Sequence, residues 1–202
     1  MPPRDVVTLP ALGRRALVRA ESIDEEARSF EVVWTTGATV RRRRLFDDDV
    51  DEQLVVSEGS IRLDRLNSGA PFLDTHNAWS LAGMLGVVEE GSARIEGGRG
   101  YARVRLSDRD EVEPIWRDIR AGIIRNVSVG YRVHRFEIEK RDGEVELWRA
   151  VDWEPFEISA VPMGADPDAH VRSAEGREDA LTPCRLVRRG ATAAAAATLK
   201  GE

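Results

Sequence analysis

The sequence predicts a mainly β protein of the α+β class, with antiparallel strands and a few packed helices. Apolar and polar residues alternate with the period of two that is typical of strands, most clearly over residues 29–35. Glycine-containing turns separate alternating runs at residues 97–100 and 141–144, which predicts hairpins. Only residues 112–119 have a clear helical spacing.

The composition excludes several classes of function. At 202 residues, with 42% hydrophobic and 33% charged residues, the chain can form one domain of about 150 residues plus tails. A net charge of −6 argues against nucleic acid as a partner. The single cysteine, Cys184, rules out an intrachain disulfide, and the three scattered histidines lack zinc-site companions, so we expect no cofactor and no metal.

No apolar run reaches the ~18 residues of a membrane span, and no signal-peptide core follows the N-terminus. We therefore expect a cytoplasmic protein without a membrane partner. Residues 1–18 are rich in proline and predict an irregular N-terminal arm, followed by a domain at 19–173. Residues 174–202 lose the alternation and are rich in alanine and charge, which predicts a flexible low-complexity tail.

Within the domain, the predicted elements follow in order. The strand at 29–35 ends at Gly37, where a turn begins. The further strands, of which 61–66 could instead be a short helix, are predicted at residues 54–56, 61–66, 82–90, 93–96, 101–106, 131–139, 145–153 and 157–161. Four arginines at 41–44 precede acidic residues at 47–52; we interpret them as a solvated loop, with a site for an acidic scaffold segment as the alternative.

The predicted helix has one apolar stripe, formed by Val112, Ile115, Trp116 and Ile119. Ser107 or Asp108 could cap it, with Glu111 completing a capping box. Pro114 fits the first turn and Gly122 fits the position just past the end. The helix therefore delivers the chain directly to the segment around Ser128.

Three residues along the chain could form a catalytic set. Ser128 lies in an apolar, β-branched run and is followed by Gly130. His76 follows an apolar pair, and Glu157 begins a predicted strand. A serine hydroxyl needs an adjacent base, and the base needs an orienting acid. We therefore assign Ser128 as candidate nucleophile, His76 as base and Glu157 as acid of an acyl-transfer site.

Each role has competitors. Taken singly, the three residues are ordinary strand and loop residues. Asp152, Glu154 and Asp74 compete with Glu157 for the role of the acid, and Ser159 is a second hydroxyl without a following glycine.

His134 is a second possible base, but the alternation predicts that it is an exposed strand residue. An oxyanion needs preorganised donors. The backbone N–H groups around Gly130, or the side chain of Arg125, could supply them, and the sequence does not choose between them.

Four segments together resemble the tailed-phage prohead (capsid maturation) serine protease family, a relative of the herpesvirus assemblin-type proteases. They are FLDTHN at 72–77 with the glycines that follow it, IIRNVSVGY at 123–131, WEPFEISAVP at 153–162 and ADPDA at 165–169. The resemblance covers roughly residues 20–173. It implies a β-barrel-like core and an endopeptidase that trims scaffold and capsid protein, and itself, inside the procapsid. The implied partners are the major capsid protein and a scaffold segment, with a homodimer as a further possibility.

Two other classes of function remain open at this point. One is a catalytically inactive β-rich module for capsid assembly or scaffold docking. The other is a small β-barrel that binds a ligand. A protease should cleave itself on storage and stop when Ser128 is changed, whereas the other two should stay intact.

Overall fold

The computed structural model describes residues 6–9, 12–42, 49–140, 143–162 and 182–188. Two α-helices, α1 (Asp64–Asn67) and α2 (Glu113–Arg120), and a 3₁₀ helix (Leu81–Gly83) accompany the strands. The strands are β1 (Val6–Leu9), β2 (Leu12–Asp24), β3 (Ser29–Thr35), β4 (Thr39–Arg42), β5 (Val50–Leu54), β6 (Pro71–Asp74), β7 (Met84–Val88), β8 (Arg94–Glu96), β9 (Arg99–Leu106), β10 (Asn126–Glu139), β11 (Glu146–Ala160) and β12 (Thr182–Arg188).

Seven of these strands close into a barrel. The pairing runs β10–β2–β3–β9–β7–β6–β11, and β11 pairs back with β10. All of these pairings are antiparallel except that of β11 with β6, which is parallel. The prediction of a mainly β fold with a barrel-like core and few helices is confirmed.

Aromatic side chains fill the barrel. Trp153 packs edge-on against Trp34, with ring centroids 5.9 Å apart, and against Tyr131 at 5.6 Å. Phe30 packs edge-on against Phe72 at 5.8 Å. Each such buried ring stabilises the fold by about 1.5–3 kcal/mol relative to exposure. Tyr131 and the other core-facing residues of β10 also fix which face of that strand points away from the core.

β10 and β11 extend beyond the barrel as a long hairpin. β12 pairs in parallel with the outer half of β10, and β1 pairs with β12. On the other side β5 pairs in parallel with the outer half of β11, and β4 pairs with β5. The barrel and the hairpin extension therefore share the same two strands.

The prediction of an irregular N-terminal arm over residues 1–18 was wrong for most of that segment. β2 begins at Leu12 and its first half pairs with β10 as a wall of the barrel. The prolines and Gly13 favoured a loop, but Gly13 lies opposite Gly130 in the ladder. Long-range pairing overrides local composition here.

The predicted tail also contains structure. β12 lies inside residues 174–202, and Cys184 is fully buried against the core. The apolar Cys184 and Leu186 alternate with Arg185, which is the pattern of a short strand. The rest of that predicted tail lies outside the described residues.

Other elements differ in detail. β11 is one continuous strand rather than the two predicted at 145–153 and 157–161. The strand expected at 54–56 lies at Val50–Leu54. α2 begins at Glu113 with no side-chain cap, so the capping box is absent, but Gly122 takes the expected left-handed conformation, φ +71°, just past its end.

The arginine-rich segment is only partly the solvated loop that we predicted. Arg41 pairs with Asp51 at 2.5 Å on the exposed side of the β4–β5 hairpin. Arg42 turns inward and donates to the Tyr131 hydroxyl at 2.7 Å, and that hydroxyl donates to buried Glu52 at 2.5 Å. Residues 43–48 lie outside the described residues.

The reactivity of the buried Cys184 thiol tests whether β12 packs against the core. Burial raises the pKa of its thiol to about 11, and the thiolate is the reactive form, so we expect native labelling at pH 8 to be slow. Urea-unfolded protein should react at the rate of a free thiol. The measurement is iodoacetamide labelling followed by mass spectrometry. Equal rates in native and unfolded protein would mean that β12 does not dock as described.

Candidate active site

Three neighbouring strands carry the candidate residues. β10 runs antiparallel to β11, with Ser128 opposite Ser159 and Gly130 opposite Glu157. β11 runs parallel to β6, and Ser159 lies opposite Leu73. Residues two apart on a strand share a face, and directly opposed residues point the same way. Ser128, Glu157 and Ser159 therefore lie on one face, away from the core side of β10.

His76 reaches this face from a tight turn after β6. Thr75 and His76 both have left-handed backbones, with φ of +46° and +62°. Such residues cost about 1–3 kcal/mol each and persist where the surroundings fix them. Here the Thr75 N–H donates to the Ala160 carbonyl at 2.9 Å, and the His76 N–H donates to the Ser159 hydroxyl at 3.1 Å. The end of β11 therefore holds the turn.

The candidate base and the candidate acid are hydrogen-bonded. His76 Nδ1 lies 2.6 Å from Glu157 Oε1, and the second carboxylate oxygen accepts from the Ser159 hydroxyl at 2.6 Å. Because an ionised carboxylate only accepts, Nδ1 is the nitrogen that donates, which makes Nε2 the nitrogen with the lone pair in a neutral ring. Glu157 is 4% exposed, whereas the His76 side chain is 41% exposed. The ring can therefore present a basic nitrogen to a substrate.

Ser128 lies beside this pair without being bonded to it. The residue is 6% exposed, and its hydroxyl makes no hydrogen bond with any described residue. Catalytic hydrogen bonds are often long in free enzymes and shorten when substrate binds. The structure thus joins His76 to Glu157 and places Ser128 on the next strand.

The competing acids have other surroundings. Asp152 accepts two 2.7 Å hydrogen bonds from Arg62. Glu154 lies 4.0 Å from Arg132 and 3.7 Å from His134 Nε2. Asp74 is exposed at the end of β6. None of the three contacts His76 through its carboxylate among the described residues.

His134 is not the exposed residue that we predicted. Its side chain is 22% exposed, and its Nε2 is buried without a hydrogen-bond partner. His134 lies at a bulge of the β10–β11 ladder, between Val133 and Arg135, and has no opposed residue on β11. His134 therefore lies in the hairpin extension, in a setting distinct from that of His76.

Backbone donors around Gly130 are largely engaged. β10 pairs with β11 on one side and with β2 on the other over residues 127–131. N–H groups in a strand that is paired on both sides point at its neighbours rather than at a ligand. Arg125, which is exposed and directly precedes β10, is not restricted in this way.

Gly130 makes room for the acid. A Cβ at this position would lie 2.1 Å from Glu157 Oε1, the oxygen that contacts His76. The carboxylate thus lies directly over the glycine backbone. The glycine that suggested a constrained strand is required for space next to the acid.

Sequence reasoning missed two features of the site. It treated Ser159 only as a second candidate hydroxyl, although its spacing of two from Glu157 places both on one face of a strand. It gave no sign of the left-handed turn at Thr75 and His76, because a β-branched residue such as Thr75 is rarely found in that conformation.

We expect Gly130→Ala to destabilise the protein by about 1–3 kcal/mol, because the added methyl overpacks a rigid site. Gly59→Ala is the matched control, since a Cβ there meets nothing within 4 Å. Urea unfolding measures both variants. Equal midpoints for the two variants would show that the carboxylate does not occupy the space above Gly130.

Comparisons with known proteins place these residues in a family. The model of the caudovirus prohead serine protease family matches residues 71–182, more than half of the chain, including His76, Ser128 and Glu157. No solved structure matches the chain. Among the described residues, no group of three or more potential metal ligands occurs, and no helix is long and apolar enough to cross a membrane.

Two curated relatives are similar over part of their length. A protein named major capsid protein, from Halomonas phage phiHAP-1, is 44% identical over 140 residues, which are 69% of this chain and 22% of that protein. A protein named capsid polyprotein, from Pseudomonas phage PAJU2, is 34% identical over 65 residues, 32% of this chain and 9% of that protein. The chain thus spans about a fifth or less of these relatives. From the family match, the chain belongs to the caudovirus prohead serine protease family.

Proposed function

We propose that this chain is a serine endopeptidase that cleaves scaffold and capsid protein, and itself, in the assembling procapsid within the bacterial cytoplasm. The observation that supports this most is the 2.6 Å hydrogen bond between His76 Nδ1 and Glu157 Oε1 beside Ser128. It supplies an oriented base next to a serine, which is what nucleophilic catalysis by a hydroxyl needs.

The proposed reaction is acyl transfer. Ser128 Oγ attacks the scissile carbonyl while its proton passes to His76 Nε2, and the C–N bond then breaks as His76 returns the proton to the leaving amine. Water, deprotonated by His76, then attacks the acyl carbon, and the bond to Ser128 Oγ breaks as His76 returns that proton to the serine oxygen. Glu157 holds the ring in orientation and stabilises its cationic form.

We propose Arg125 as the oxyanion donor. Its side chain is exposed at the start of β10, while the nearby backbone donors take part in strand pairing. A preorganised donor of this kind is worth about 3 kcal/mol in the transition state.

Exposed apolar side chains support a peptide substrate. Within the described residues, the large exposed apolar side chains are Trp79 (70%), Leu81 (80%) and Ile123 (70%). The first two follow His76, and Ile123 precedes Ser128. The Thr75 N–H donates to the Ala160 carbonyl, and the N–H of the next residue, Val161, donates to the Asn126 carbonyl. The segment after His76 and the segment before Ser128 therefore lie at the same end of the barrel. Such side chains are suited to contacting an extended chain.

The names of the relatives support a capsid protein as the substrate. Both are named as capsid proteins and are much longer than this chain, so a protease domain joined to its own capsid substrate is consistent with their lengths. We also propose that the chain is related to the assemblin-type proteases and that it forms a homodimer. The competing proposal is an inactive capsid-assembly module of the same fold.

We expect Ser128→Ala to lower kcat by about 10⁶-fold, because it removes the attacking oxygen. The loss of one hydroxyl should change the free energy of unfolding by less than ~1 kcal/mol. The measurement is the intact mass of the purified chain and of its cognate capsid polypeptide over time, wild type beside the variant. Continued cleavage by a pure variant would contradict Ser128 as the nucleophile, whereas a wild type that leaves itself and the capsid polypeptide intact would favour the inactive-module proposal.

We expect His76→Ala to cost a similar factor, about 10⁶ in kcat, since the base and nucleophile act as a unit. His134→Ala is the matched control, because it removes a ring from the same strand system but away from Glu157. Its cleavage rate should stay within about twofold of wild type. The opposite order of effects would move the base to His134.

A further inference from the structure

We propose that Ser159 is a positioning residue that locks the acid and the base of this site into one geometry. The inference rests on the proposed function, because it assigns a role within that reaction. Ser159 lies on β11 two residues after Glu157 and opposite Ser128.

The Ser159 hydroxyl has its hydrogen-bonding capacity committed to the site. A serine hydroxyl offers one donor and two acceptor positions. The donor goes to Glu157 Oε2 at 2.6 Å, and one acceptor position receives the His76 N–H at 3.1 Å. Ser159 has 0% exposure, so solvent water is not in contact with it to replace either bond.

One hydroxyl therefore bonds both members of the pair. Glu157 is held at both oxygens, at Oε1 by the His76 ring and at Oε2 by Ser159. His76 is held at its ring by Glu157 and at its left-handed backbone by Ser159. The Ser159 hydroxyl, the Glu157 carboxylate, the His76 ring and the His76 backbone N–H thus form a closed loop through three hydrogen bonds. A shift of the carboxylate must therefore also shift the turn. The terminal torsion of a glutamate side chain has only broad intrinsic preferences. The second hydrogen bond, from Ser159 to Oε2, therefore restricts the orientation of the Glu157 carboxylate.

The same bonds separate the roles of the two serines. Ser128 and Ser159 face each other across adjacent strands, where Cβ atoms lie about 4.5–5.5 Å apart. Ser159 has its only hydrogen directed to a carboxylate, whereas the Ser128 hydroxyl makes no bond to the described residues. Ser128 is thus the hydroxyl whose proton can pass to His76.

The kinetic test is Ser159→Ala. We expect kcat to fall about 10²-fold with KM nearly unchanged, because a loosened catalytic pair misplaces the base without removing substrate contacts. Ser159→Thr, which keeps the hydroxyl, should recover most of kcat. Ser29→Ala is the matched control: Ser29 is also 0% exposed on a barrel strand and accepts from Arg103, away from the site. Its kcat should match wild type.

A spectroscopic test is independent of turnover. In a Ser128→Ala background, the proton between His76 Nδ1 and Glu157 should give a low-field ¹H NMR signal. Adding Ser159→Ala should weaken or remove that signal and speed exchange of the His76 amide, while adding Ser29→Ala or Ser159→Thr should leave both unchanged.

The outcomes separate this inference from the proposed function. Wild-type kcat and an unchanged low-field signal in Ser159→Ala would overturn the role of Ser159. Equal losses in Ser159→Ala and Ser29→Ala would also overturn it, since the effect would then be general destabilisation. Cleavage that survives Ser128→Ala would instead contradict the proposed function, and the NMR comparison would still decide whether Ser159 couples the pair.

Discussion

The antiparallel pairing of β10 with β11 is the constraint on which the rest of the structure depends. It closes the barrel, and it places Ser128 opposite Ser159 and Gly130 opposite Glu157. A slip of one residue would turn every side chain of one strand to the other face. Val127, Val129 and Tyr131 would then leave the core, so the burial of those side chains holds the site in register.

The candidate site combines residues on a rigid strand with a residue from a strained turn. Glu157 and Ser159 belong to a strand in the barrel wall, and their positions follow from the core. His76 lies in a turn of two consecutive left-handed residues, a backbone conformation that is strained for residues other than glycine. The hydrogen bonds that the Thr75 and His76 N–H groups donate to β11 offset that cost, which is why the parallel pairing of β6 with β11 matters. The contacts that pair these strands therefore also position the candidate site.

Alternation in the sequence predicted much of this. It identified β3, the β8–β9 hairpin, the outer part of β10 and the strand that carries Glu157, while helical spacing identified the apolar stripe of α2. Local patterns did not reveal what depends on distant pairing: β2 as a barrel wall, β12 within the predicted tail, and buried Arg42 beside Tyr131 and Glu52. His76 and Glu157 were chosen as residue types, but their hydrogen bond depends on β6 and β11 lying side by side, which no spacing encodes. The assignment of catalytic roles to these residues stays a prediction.

The central claim is that Ser128 is the hydroxyl activated by His76. Covalent labelling with a fluorophosphonate tests it most directly, because the reagent forms a phosphorus–oxygen bond only with an activated serine and releases fluoride. The adduct is mapped by peptide mass spectrometry in wild type and in His76→Ala. This account predicts one adduct per chain, on the peptide that contains Ser128, and its loss in His76→Ala. An adduct on Ser159, or labelling of Ser128 that persists without His76, would contradict it.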